Sequence, residues 1–295
     1  MSLRNFKLPL IVFLGLSLGF ILPQIGLFFK PFLSYLLMII MFFTCLKVDF
    51  ADFRKIKIKT ILVGLFFIFI FAPLLSLGGM IITPMIFAGI LVALSCPSAA
   101  VSAFYSDAFK GSPSLAIVLT TIASLISVVT MPLTMLIGVG TSIKFDAISI
   151  ILNLAQIILI PLFAAILMNK YLRKTSERIC KYDKIFSHVL ILFVLWGGVA
   201  SGVSYIQGNM YEFLQANMVV TLLLTVALLV SYSIGKMFGR EVAITLAITT
   251  FVKNGILALV IGSITFGPEV LPVLVANIID QNMLLVILGL LLKHN

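Results

Sequence analysis

The stretch "AITTFVKNGILALV", residues 247–260, is apolar except for small hydroxyls and one Lys-Asn-Gly triplet. Lys253 stands deep inside a hydrophobic run. The Asn254-Gly255 pair that follows favours an irregular or left-handed backbone and loosens a helix. An ammonium group and a helix break at the centre of an apolar run demand a setting that tolerates both.

That setting is a bilayer. Of 295 residues, 62% are hydrophobic and 10% are charged, and the mean hydropathy is +1.25. A soluble domain of this length carries far more charge. About 20 residues per crossing plus short connections leave room for roughly ten helices. The pattern predicts apolar spans at about 7–24, 30–46, 60–78, 83–108, 113–139, 147–169, 185–206, 214–235, 241–265 and 270–293. The start, "MSLRNFKLPLIVFLGLSLGF", has the charge and apolar run of a signal peptide but no small-x-small cleavage site, so it reads as a retained first span.

The net charge of +10 does not point to nucleic acid, because the basic residues are scattered over short loops. With the N-terminus in the cytoplasm, seventeen of the twenty Lys and Arg fall in cytoplasmic segments. The largest groups are Lys47 to Lys59 and Lys170 to Lys184, whereas the outer loops hold only Lys30 and Lys144. This asymmetry predicts both termini inside, in the plasma (inner) membrane. Lys253 is the one basic residue left within a span. Cys45, Cys96 and Cys180 are isolated, with no metal-ligand spacing and no disulfide framework.

Halving the chain gives two sets of five spans, 1–140 and 141–295, the second inserted upside down. The fourth span is interrupted by "SCPS", residues 95–98, with Cys96 and Pro97 at the break. The ninth is interrupted by "VKNG", residues 252–255, with Asn254 and Gly255 at the break. Proline lacks an N–H and clashes with the preceding turn. A single interruption reads as a simple kink. Matched interruptions in corresponding spans mark the binding site of a secondary transporter. Broken backbone within a bilayer must be buried in protein or line a water-filled cavity. Half-helix N-termini then suit a carboxylate, and the free carbonyls at C-terminal ends suit a cation. Ser98 and Ser102 share one face of the fourth span. Thr120, Ser124 and Ser127 form a stripe on the fifth, and Thr249 and Asn254 flank the second break. Such hydroxyls either face a cavity or bond to their own helix carbonyls.

The segment "CPSAAVSAFYSDAFKGSPSLAIVLTTIASLISVVTMP", residues 96–132, resembles the bile acid:sodium symporter family over its fourth and fifth helices. "LLMIIMFFTCLKVDFADFRK", residues 36–55, resembles the family's second helix and its exit. The resemblance covers essentially the whole chain. It implies an all-α membrane fold of two inverted five-helix repeats: a panel of spans 1, 2, 6 and 7, and a core of spans 3–5 and 8–10 with the broken spans crossing at the midplane. It also implies alternating-access transport of organic anions such as bile acids, steroid sulfates or short metabolic acids. The expected partners are a small organic anion and the lipid bilayer.

The chain departs from the family where sodium would bind. Aligned on the ninth span, the family's Glu falls on Thr249 and its amide on Lys253, while Asn254 matches its Asn. The Gln five residues before the third-span proline falls on Ile68, before Pro73. The Ser-Asn pair falls on Ser102 and Ala103, and two hydroxyl ligands fall on Ala116 and Thr120. Ser102, Thr120 and Thr249 remain as residual sodium candidates. No sodium or other cofactor is expected, and Lys253 would supply a built-in cation in its place. The alternative is conventional sodium symport through a rearranged site. Asp280, in "ANIIDQNMLL", is the intramembrane acid that matches Lys253 in depth. The pair reads either as a proton-linked switch or as a staple between spans 9 and 10. Enzymatic chemistry finds no constellation: no acid pair lies within a span, and His188 and His294 stand in unrelated places.

Overall fold

The computed structural model describes residues 7–47, 56–140, 143 and 145–291. Arg4, Arg54, Lys55, Lys144, Lys293 and His294, along with residues 48–55 of the second-span exit, lie outside the described residues. Among the described residues every regular element is helical. In chain order they are α1 (Lys7–Ile21), α2 (Pro23–Leu27), α3 (Leu33–Cys45), α4 (Ile58–Phe66), α5 (Ala72–Leu75), α6 (Pro84–Ser95), α7 (Ser102–Ala108), α8 (Pro113–Val139), α9 (Ala147–Tyr171), α10 (Arg173–Ala200), α11 (Val203–Gly208), α12 (Met210–Gly235), α13 (Arg240–Phe251), α14 (Gly255–Phe266) and α15 (Leu271–Leu291).

Local chemistry sets many of these boundaries. Thr83 and Ser112 cap α6 and α8, accepting from Ile86 N (3.2 Å) and Leu115 N (3.3 Å), each with proline in the first turn. Asp146 caps α9 through Ile148 N and Ser149 N. Asn254 caps α14 through Leu257 N at 3.1 Å. Cys96 precedes Pro97 and is extended, with ψ 147°, so α6 ends there. Gly239 and Gly267 take φ of 103° and 76°, backbone that favours glycine, at the turns before α13 and after α14.

Among the described residues, six helical runs are long and apolar enough to cross a membrane: Pro23–Cys45, Ile58–Met80, Pro113–Val139, Ala147–Tyr171, Met210–Phe238 and Gly255–Leu288. Arg173–Asp183 with Ile185–Ala200, bent by 58°, makes a seventh if counted as one span. Both predicted interruptions are present, between α6 and α7 and between α13 and α14. Three expectations of span continuity need correction. The first span breaks at Leu22, where Pro23 starts the five-residue α2. The seventh ends at Ala200, with α11 separate. Residues 173–183, read from sequence as loop, are helical. Charge patterning stabilises that segment without an apolar run: Arg173 Nε meets Glu177 Oε1 at 3.1 Å, one turn apart.

Helix α1 packs on α10, α3 on both α9 and α10, α12 on α13 and α15, and α6 on α8, α14 and α15. The ends of the helices meet in sets. Asn169 Nδ2 donates to Leu46 O, and Lys47 pairs with Asp183, which joins the ends of α3 and α9 to α10 near its bend. Lys59, at the start of α4, stands over the Phe238 ring. At other ends, Trp196 Nε1 donates to Leu22 O at 3.0 Å, and Phe145 meets Phe266 edge-on. Large apolar side chains such as Leu10, Ile137, Phe163, Met218 and Leu222 face outward.

Candidate functional site

The two breaks meet. Residues 97–99 and 252–254 run antiparallel, with a bridge between Ser98 and Lys253. Ala99 N donates to Val252 O and Asn254 N to Pro97 O, both at 2.9 Å. Backbone groups freed by each interruption are thus satisfied by the other, as an apolar interior requires. The two bonds are related by a local two-fold at the Ser98–Lys253 pair. Ser98 Oγ lies 2.8 Å from Ser102 Oγ, and both hydroxyls reach toward Val252 O, at 3.4 and 3.5 Å.

Lys253 is 1% exposed, and its Nζ donates to Ile68 O at 3.0 Å. The sequence explains why that carbonyl is free. Residues Phe67–Phe71 form a π-helical turn, in which Ala72 N donates to Phe67 O rather than to Ile68 O. The next residue, Pro73, has no N–H. Neither donor that would close the helix on Ile68 O is available, so the ammonium takes the position. Sequence reasoning treated Ile68 as a lost oxygen. The structure corrects this, because the backbone supplies the oxygen that the side chain lacks.

The expected pairing of Lys253 with Asp280 is not formed. Asp280 Oδ1 accepts from Asn217 Nδ2 at 3.1 Å, and Oδ2 has no partner. The two side chains engage different partners: Asp280 faces α12, while the Lys253 side chain points to the π-turn before α5. A staple between spans 9 and 10 through these charges is therefore overturned.

A cavity of about 470 Å³ adjoins the crossing. Its walls come from α1, α3 and α10 on one side and from α7, α8, the second break and α15 on the other. Of the sequence-predicted residues, Thr120, Lys253, Asn254 and Gly255 line it. Gly255 is required by close approach, since a Cβ there would stand 2.7 Å from Ile278 Cγ1. Ser98, Ser102, Thr249 and Asp280 do not line it, and Ser124 borders a smaller void of about 40 Å³ beside Thr120 and Thr121. Thr249 Oγ1 back-bonds to Thr245 O, Ser124 Oγ to Thr120 O and Ser127 Oγ to Ser124 O. For these three the alternative of bonding to their own helix holds. Thr120 Oγ1 is buried without a partner, as are Gln281 Nε2 and both side-chain polar atoms of Asn277.

Sequence reasoning did not place Lys47, Thr44, Asp183, His188 and Asn282 in this wall. Lys47 read as a loop charge and His188 as an isolated histidine, and Asp183 carried no reading. Helical phase on α10 would have put His188 with Ile191 and Leu195 on one face.

A family-wide sequence model, described as the sodium bile acid symporter family, matches residues 34–209. The chain belongs to this family. The match takes in α3 to α11 but not the second break. Among curated relatives, the chain is 24% identical over 222 residues to an uncharacterized sodium-dependent transporter, YocS, of Bacillus subtilis. It is also 24% identical over 250 residues to a probable chloroplastic sodium/metabolite cotransporter, BASS2, of Oryza sativa subsp. japonica. The matches cover 74% and 81% of this chain, but only 66% and 58% of those relatives. The sodium bile acid symporter family and both relatives are transporters, not enzymes.

Proposed function

We propose that the chain is a secondary active transporter that carries a small organic anion by alternating access without sodium. In this reading the Lys253 ammonium stands where a bound cation would sit. The observation that carries it is the Lys253 Nζ–Ile68 O bond at the crossing of the two breaks. The residues aligned with sodium ligands do not fit that ion. Ala103 and Ala116 offer no side-chain oxygen, and Thr249 and Ser102 are bonded within the protein. Ile68 O is taken by the ammonium, and Thr120 Oγ1 alone is free. The names of both relatives refer to sodium, and Thr120 is the residue around which a rearranged sodium site would form.

The cavity suits the cargo. At about 470 Å³ it falls within the usual range for small-molecule sites. Its walls are largely apolar, with Lys47, Lys253 and the N-terminal end of α14 in or beside them. The N-terminus of α14 favours an anion, while the Lys47 ammonium in this wall is paired with Asp183 and that of Lys253 is turned to Ile68 O. The proposed architecture is ten crossings in two inverted sets of five, with both termini cytoplasmic in the plasma membrane. Three observations support it: the local two-fold at the crossing, the equivalent pairings of α1 with α10 and α3 with α9, and the contact of Leu46–Lys47 with Asn169 and Asp183. All four of these last residues belong to segments assigned to the cytoplasmic side.

A thermal-shift screen of mono- and dicarboxylic acids and aryl or steroid sulfates, run in choline buffer, tests the reading. At least one anion should raise the melting temperature, and uncharged analogues should not. Stabilisation by none of them, or only when sodium is added, contradicts it.

A further inference from the structure

Asp280 lies on α15, at the face packed on α12, and is 5% exposed. Asn217 Nδ2 donates to its Oδ1 at 3.1 Å, and Thr221, one turn further along α12, places its hydroxyl beside the same carboxyl. Oδ2 has no partner and is fully enclosed.

Among the described residues, the elements around α15 bring no cation to this seam. Helices α6 and α14 contain no titratable residue, and Lys7 opens α1. The titratable groups of α12 are Tyr211 and Glu212 in its first turn and Tyr232 in its last. Glu212 is engaged by the Tyr205 hydroxyl at 3.2 Å. Glu269 lies in the turn before α15, and Lys253 points to Ile68 O. An ionised carboxylate here would be buried with one amide donor, one hydroxyl and no counter-charge. Uncompensated burial of an ion costs several kcal/mol, and a carboxyl so placed takes up a proton instead.

We propose that Asp280, with Asn217 and Thr221, forms a proton-binding site within the membrane. The proton sits on Oδ2 and Oδ1 accepts from Asn217. This deepens the reading of a sodium-independent carrier, on which it rests, by supplying a cation that the chain can take up in place of sodium. The step is simple protonation, carboxylate plus proton to carboxylic acid, with no other reactant. The site is mechanically connected to the cavity. Gln281, the next residue, lines the cavity, and Asn277, one turn earlier, stands 3.6 Å from where a Cβ on Gly255 would lie.

Infrared difference spectroscopy on the whole protein in liposomes tests this without a substrate. Of the ten acidic residues, Asp280 is the one that the described helices enclose with an unpartnered oxygen and no counter-charge. A carbonyl stretch of a protonated carboxylic acid should be present at pH 7, move on exchange into D2O, and fade as pH is raised. It should vanish in Asp280→Asn, which keeps the volume and removes the buried acid. If that variant does not fold, Asn217→Leu gives a second reading, because loss of the donor to Oδ1 should raise the band's frequency. Absence of the band at pH 7, its survival in Asp280→Asn, or an unmoved band in Asn217→Leu overturns the proposal. Loss of the band when sodium chloride replaces choline chloride would make this a sodium site and also overturns it. Stabilisation of the protein by sodium with the band intact counts against the sodium-independent reading alone.

Discussion

If the π-turn and Pro73 create the seat for the Lys253 ammonium, the two must be energetically coupled. In the native background, Lys253→Met keeps most of the apolar stem and removes the donor to Ile68 O. The change relieves burial of an ammonium, about 2.5–3.5 kcal/mol on insertion scales. It also leaves a buried carbonyl unsatisfied, which costs about 1–3 kcal/mol. The net effect is small. In a Pro73→Ala background, residue 73 regains its N–H and the π-turn can relax, so Ile68 O is satisfied within its own helix. Lys253→Met then carries the relief without the orphaned carbonyl. It should be more favourable than in the native background by about 1–3 kcal/mol. The four proteins of this cycle are compared by equilibrium unfolding in mixed micelles with increasing SDS. A Lys253→Met effect that is equal in both backgrounds, within about 0.5 kcal/mol, refutes the account of the seat.

Two further outcomes follow. Thr120→Val removes a buried hydroxyl that has no partner; it should leave the melting temperature unchanged or raised, while altering the affinity of whichever anion the thermal-shift screen selects. Loss of stability without a change in affinity would remove Thr120 from the site. Asp146 caps α9 with its carboxyl held below its ordinary value, chiefly by the Ser149 hydroxyl and then by the Ser149 and Ile148 N–H groups. A lowered folded value means that its stabilisation is present above the unfolded value and lost as pH falls through the folded one. Melting curves in acid should therefore show a smaller decline for Asp146→Asn than for the native protein, and identical declines would dismiss the cap as a pH-sensitive contributor.

The bilayer setting and the two breaks were legible because they rest on composition and on residues that no helix interior favours: Pro97, Asn254 and Gly255. Rotation was not. Whether Asp280 faces α12 or α14 depends on packing between helices, which an apolar sequence with little periodic contrast hardly encodes. The Ile68 carbonyl was hidden for a different reason. Backbone acceptors carry no sequence letter, and only the combination of Pro73 with a π-turn exposes this one. The hydroxyl stripe on α8 shows the reverse failure. Thr120, Ser124 and Ser127 have the spacing of a polar face, yet two of the three bond to their own helix. Continuity of the first and seventh spans was overstated because hydropathy averages over Leu22-Pro23 and over the turn at 201–202.

The central claim is that a lysine has taken the place of a bound cation, and sodium dependence tests it most directly. Binding of the selected anion is measured in sodium chloride and in choline chloride at equal ionic strength, on the native chain and on Lys253→Gln. The account predicts equal affinities for the native chain in the two salts. A tenfold gain in sodium, about 1.4 kcal/mol of coupling, on the native chain would contradict it.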